Sequence, residues 1–118
     1  MKWNLNKNLP ICPQICEQLR VKIAFEEFKP NERLLSVREI AVEAGVNPNT
    51  VQKSLEQLES EGLIYSVRGS GWYVGENTEL AKQSVVRMIR EKTERYLADM
   101  AQFGYTAERV AELIKEWI

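Results

Sequence analysis

The sequence predicts a mainly α fold with one small β-hairpin, and three observations carry that prediction. Apolar residues recur at helical spacing over most of the 118 residues. In "GVNPNT", residues 45–50, a helix stop and a helix start lie one residue apart. Two short runs rich in β-branched and aromatic residues, "LIYSV" and "WYV", flank "RGSG", which has the composition of a hairpin turn.

Each element has its own justification. Residues 11–28 place Ile15, Leu19 and Ile23 on one stripe with Cys12 and Cys16 beside it, and Pro13 stands in the first turn, where its missing N–H costs nothing; this is the first helix. "KPNERLL" is a turn with room for a short extended segment around Arg33 and Leu34. Ser36 and Glu39 then form an S-x-x-E capping box, so a second helix starts at Val37, buries Ile40 and Ala41, and ends at Gly45, a residue suited to the left-handed position. Asn47 caps a third helix with Pro48 at its first position, running to about Ser60. Val51, Ser54, Leu55 and Leu58 share one side of it, Asn49, Lys53 and Glu56 the other, with Gln52 at the edge. Gly62 stops this helix before the hairpin, whose Gly69 and Gly71 are available for positive φ.

From Asn77 or Thr78 a long helix runs to Phe103, apolar at Val85, Val86, Ile89, Leu97, Met100 and Phe103, and Gly104 ends it. Thr106 caps a last helix, with Tyr105 and Val110 as a hydrophobic staple and a stripe of Val110, Leu113, Ile114, Trp117 and Ile118. The chain therefore divides into an N-terminal domain, residues 1–76, and a two-helix segment, residues 77–118. Two helices cannot hide both stripes by themselves, so the tail needs the first domain, a second chain, or both. Self-association is favoured because it also supplies two reading heads.

Composition narrows the function. Hydrophobic residues at 44% and charged ones at 28% are ordinary for a globular domain and argue against disorder. No apolar run approaches the roughly 20 residues that span a bilayer, and the start "MKWNLNKN" lacks a signal-peptide core, so a cytoplasmic protein without membrane contact is expected. Cys12 and Cys16, four apart on one helix, supply half a zinc site at most; they are expected as reduced, small apolar side chains, with no metal and no cofactor. Histidine is absent, and no carboxylate pair, nucleophile with base, or Gly-rich phosphate loop stands out, so no enzymatic activity is expected. The net charge is −1, with acidic and basic side chains balanced over the first 75 residues. Affinity for nucleic acid would have to come from cations placed on one face, because phosphate neutralisation is a local effect.

The tightly joined helix pair offers that placement. A helix whose N-terminal end exposes short amides and hydroxyls suits the DNA major groove, where Asn and Gln pair with adenine and Lys reaches guanine or phosphate. Asn47, Asn49 and Thr50 stand at that end, Lys53 lies on the exposed face, and Arg38 and Arg68 flank the same surface. Against this, isolated exposed arginines, Lys53 and Glu56 are ordinarily just solvated, Trp72 and Tyr73 suit a strand and core better than a stacking platform, and Trp117 anchors the last helix either in its own chain or across a dimer.

Two stretches, "PICPQICEQLRVKIA" and "KPNERLLSVREIAVEAGVNPNTVQKSLEQLESEGLIYSVRGSGWYV", together resemble the winged helix-turn-helix of GntR-type bacterial transcription regulators, and the two-helix tail is similar in size and pattern to the YtrA subfamily. The resemblance implies a sequence-specific DNA-binding regulator, a homodimer through its C-terminal helices on a palindromic double-stranded operator, acting as a repressor of nearby genes such as transporter operons. It implies DNA contact at Arg38 in "SVRE", at Asn47, Pro48, Asn49, Thr50 and Gln52 where the recognition helix starts, and at Arg68 and Gly69 in the wing. Lys53 joins this set from the helical face alone. Dimer contacts are expected at Val85, Ile89, Leu97, Met100, Leu113 and Trp117. The sequence departs from the family pattern at Glu26 and Asn31, where Gly is usual, and at Leu35, where Pro is usual. The tail is too short for a ligand cavity of its own, so a small-molecule effector would have to bind between chains or between head and tail. The competing reading is a winged-helix module that binds protein and not DNA.

Overall fold

The computed structural model describes residues 2–25 and 27–118. In chain order its elements are α1 (Ile11–Ala24), α2 (Val37–Ala44), α3 (Pro48–Ser60), β1 (Ile64–Val67), β2 (Gly71–Val74), α4 (Thr78–Ala101) and α5 (Ala107–Trp117). The expected mainly α fold with one hairpin is what the chain adopts. Two compact units, Met1–Val85 and Val86–Ile118, divide within α4, because Ala81 and Val85 belong to the core of the first unit. The expected boundary at 76/77 lies between the hairpin and α4, ahead of the turns of α4 that this core takes up.

That core is assembled from the apolar faces the spacing defines. Ile15, Leu19 and Ile23 of α1, Ile40 and Ala41 of α2, Val51, Leu55 and Leu58 of α3, and Ile64 and Val74 of the hairpin are all buried in it. The first helix ends at Ala24, short of the expected residue 28. Its stripe runs out: Glu27, where the stripe would continue, is exposed, and Phe25 is 71% exposed, while Phe28 reaches the core from outside the helix. The departure at Glu26 lies outside the described residues. Asn31 explains itself, since it holds φ 65°, a left-handed conformation that Asn tolerates better than other residues with a side chain. Its Oδ1 accepts from the Tyr65 hydroxyl at 2.9 Å.

Both caps of the helix pair form as expected. The Ser36 hydroxyl accepts from the Glu39 N–H and the Glu39 carboxylate accepts from the Ser36 N–H, each at 3.0 Å. Gly45 closes α2 at φ 67° and ψ 41°. The Ser36 backbone N–H, then its hydroxyl, holds the Glu39 carboxyl below the usual carboxylate range. A depressed folded-state pKa stabilises above the ordinary glutamate pKa and loses that contribution as pH falls through the lowered value. Loss of the hydroxyl that accepts from the Glu39 N–H is expected to make Ser36→Ala cost about 1 kcal/mol, as for other N-cap truncations. The gap in melting temperature between wild type and Glu39→Ala should shrink once pH passes below the carboxylate range; a gap independent of pH would exclude the charged half of the cap.

The N-terminal residues add a feature with no helical or strand pattern of its own. Trp3 and Leu5 pack against the core, while the Gln18 amide pairs both ways with the Asn4 backbone (3.0 and 2.7 Å) and the Gln14 amide with that of Asn6 (2.7 and 2.9 Å). The arm ends near the helix turn, where the Lys7 ammonium donates to the Gly45 carbonyl at 2.8 Å. Arg20 of α1 grips Glu61, just after α3, through Nε at 3.1 Å and a second N–H at 2.5 Å. Burial opposes the guanidinium charge, but the Glu61 bond and charge outweigh it and raise the Arg20 pKa above its ordinary value.

In the second unit, Thr106 caps α5 by accepting from the Arg109 N–H at 3.1 Å, and Gly104 takes φ 81° after the long helix. Its large apolar groups are mostly uncovered: Val86 is 64%, Ile89 56%, Phe103 75% and Trp117 81% exposed. Val86, Ile89, Thr93, Tyr96, Met100 and Phe103 lie alternately three and four residues apart, the spacing of a two-helix seam. Of the expected dimer residues, Leu97, Met100 and Leu113 are half-buried and Ile89 and Trp117 exposed, whereas Val85 is spent on the core of its own chain.

Candidate nucleic-acid interface

The surface is organised by α3. Val51, Ser54, Leu55 and Leu58 are fully buried, which turns Asn49, Lys53 and Glu56 to solvent and leaves Gln52 half-buried at the edge. The Asn47 side chain accepts from the Asn49 N–H at 2.7 Å, so the first turn is pinned and Pro48, Asn49 and Thr50 are held at its outer end. Behind the helix, the buried Ser54 hydroxyl donates to the Thr50 carbonyl at 2.8 Å, and the Cys16 thiol donates to the Ser54 carbonyl at 3.5 Å. Burial, then the neighbouring Cys12 thiol, pushes the Cys16 pKa up to about 12, so it is a protonated packing group. Both cysteines are free, and no group of three or more His, Cys, Asp or Glu suited to a metal ion occurs among the described residues.

The hairpin stands beside α3. Tyr65 pairs with Tyr73 and their rings stack with centroids 5.6 Å apart, so both are strand residues, and Trp72 packs against the core. Arg68 and Gly69 form the exposed tip, Gly69 at φ 79°. The wing is tied to α3 by Glu59, whose carboxylate accepts from the Ser66 N–H at 3.0 Å and the Ser66 hydroxyl at 2.8 Å. Between helix and wing lies an open cleft of about 730 Å³ lined by Gln52, Glu56, Glu59, Gly69 and Arg33, among others.

Arg33 was not among the expected contacts. Its segment pairs with β2 through an Arg33–Tyr73 bridge and a Leu34 N–H to Trp72 carbonyl bond of 2.8 Å. That places its guanidinium beside Gly71, where an added Cβ would stand 3.4 Å from Nε. A second depression, about 500 Å³, is lined by Arg33, Arg38 and Val42, so Arg33 links the Arg38 surface to the wing cleft. The signal for it was the short extended segment itself. Arg38, Asn47 to Lys53, and Arg68 with Gly69 all belong to the first unit, in which Arg38, Lys53 and Arg68 are exposed cations. Opposed to them, Glu56 accepts from the Gln52 amide nitrogen at 3.0 Å.

This combination of a capped helix pair, an exposed polar helix face and a hairpin wing has known counterparts. The family described as bacterial regulatory proteins, gntR family, matches residues 13–74, the stretch from α1 to the wing. The chain belongs to the GntR family. This GntR chain is 34% identical over 106 residues to the HTH-type transcriptional regulator YhcF of Bacillus subtilis, spanning 90% of the chain and 88% of the relative. It is 37% identical over 108 residues to the HTH-type transcriptional repressor YtrA of the same organism, spanning 91% and 83%. Among solved structures, a GntR family transcriptional regulator from Listeria monocytogenes is similar with a TM-score of 0.83 and 30% identity over 95% of this chain and 98% of that one. The DNA-binding domain of AraR, solved in complex with operator ORE1, matches 64% of this chain and 94% of that one at a TM-score of 0.55 and 28% identity. The GntR chain is a winged-helix, DNA-binding transcription regulator and not an enzyme.

Proposed function

We propose that the protein is a cytoplasmic, homodimeric repressor that reads a palindromic operator. In this reading α3 lies in the major groove with Asn47, Pro48, Asn49, Thr50, Gln52 and Lys53 toward the bases and backbone, Arg38 binds beside it, and Arg68 and Gly69 of the wing reach the adjacent groove or phosphates. The observation that carries it is the α3 face: its N-terminal turn is pinned by Asn47 while its outer residues bear amides, a hydroxyl and an ammonium. Such groups read base edges and phosphates. Residues 1–76 serve as the reading head and 77–118 as the pairing segment, since the exposed seam from Val86 to Phe103 has the spacing that a second copy would cover. A relative named a repressor, similar over nearly the whole chain, supports repression. No helix among the described residues is long and apolar enough to cross a membrane, in keeping with a cytoplasmic site of action.

The test is selection from a random duplex library with the full chain, then binding to the enriched sequence over a salt series. A two-fold symmetric winner is expected, weakened by salt, with Arg38→Ala costing about 1–3 kcal/mol. No enriched sequence, and binding indifferent to Arg38→Ala, would favour a module that binds protein.

A further inference from the structure

On α3 the Gln52 side chain does not stand alone. Its Nε2 donates to Glu56 Oε1 at 3.0 Å, one helical turn away. A carboxylate accepts and does not donate, so the amide nitrogen must face Glu56 and the amide oxygen must face away. One N–H is then committed to Glu56. What remains for a partner is one acceptor and one donor, side by side.

We propose that Glu56 determines which base Gln52 reads, orienting the amide for adenine and against guanine. In the major groove adenine offers the N6 amino donor and the N7 acceptor, which match the remaining oxygen and N–H of Gln52. Guanine offers two acceptors, O6 and N7, and so asks for two donors where Gln52 has one left. The Glu56 carboxylate beside them adds repulsion toward both guanine acceptors. The neighbouring carboxylate does not compete for the amide, because Glu59 is engaged by the Ser66 N–H and hydroxyl. Lys53, exposed on the same face, is the cation nearest in sequence. Gln52 and Glu56 both line the cleft between helix and wing. Glu56 acts here as a positioning residue, and the inference rests on the reading of α3 as the groove-facing helix.

The test runs one random-duplex selection on three full-length proteins: wild type, Gln52→Ala and Glu56→Ala. Glu56 is exposed, so its truncation leaves the core intact. Gln52→Ala locates the base pair that Gln52 reads, as the position where preference is lost. The expected result is an adenine at that position in wild type, preferred over guanine by roughly 5- to 150-fold, and a clearly smaller preference there with Glu56→Ala, while the other operator positions keep their preferences. Retention of the full adenine preference in Glu56→Ala overturns the inference. So does a loss confined to a different base pair, which would mean that Glu56 reads a base by itself. If wild type enriches no sequence, the DNA-reading assignment of α3 falls, and the role of Glu56 with it.

Discussion

Leu55→Ala is expected to remove about 2–5 kcal/mol of folding stability. Leu55 is fully buried on the inner side of α3, in the same cluster as Leu19, Ile40 and Leu58. Truncation loses the transfer energy of the removed methyl groups and leaves a cavity among residues from several elements, which cannot all relax into it. Against a total stability of order 5–15 kcal/mol, the change should lower the melting temperature by roughly 8–20 °C. Operator affinity of the fraction still folded should change little, because the exposed face of α3 is untouched. Thermal melts followed by circular dichroism measure the first effect. A shift of only a degree or two would show that α3 is not seated on this core.

Ile89→Glu should separate the proposed dimer. Ile89 lies 56% exposed in the seam that runs from Val86 to Phe103. Pairing two copies there would bury two like charges in an apolar seam, at a desolvation cost of several kcal/mol per ion. Sedimentation at micromolar concentration should then give one chain in place of two. Affinity for the full palindrome should fall about 100- to 10,000-fold as the second half-site ceases to be an intramolecular event, while affinity for an isolated half-site and the melting of the first unit stay as they were. A variant that still sediments as a dimer would place the pairing surface elsewhere.

How much of this was legible depends on how local each determinant is. The edges of α2 and α3 were readable to the residue because their caps are made within three positions: Ser36 with Glu39, Asn47 with Asn49, and Gly45 in the left-handed region. The end of α1 was not, since a helical period carries no stop and the end comes where burial ceases, at Ala24. The N-terminal arm was invisible for a related reason. Its bonds join Asn4 to Gln18 and Asn6 to Gln14, partners 14 and 8 positions away that no local rule pairs. In the candidate interface, the helix face was fully anticipated from 100° steps, with Gln52 at the edge as found. Arg33 was missed because its place depends on pairing with Tyr73, forty residues on. The tail showed its apolar pattern in sequence, but Val85 could not be told from Val86 until the core claimed the first and left the second 64% exposed.

The carboxylates on the proposed reading surface bear on how the protein would find its target. Attachment to random duplex is almost wholly electrostatic, and here Lys53 shares its helix face with Glu56, beside a wing cleft that also holds Glu59, in a chain of net charge −1. If α3 is the groove-facing helix, these carboxylates would weaken attachment to random duplex relative to a face carrying cations alone. Discrimination between the operator and the large excess of non-operator sites would then rest more on base contacts than on charge.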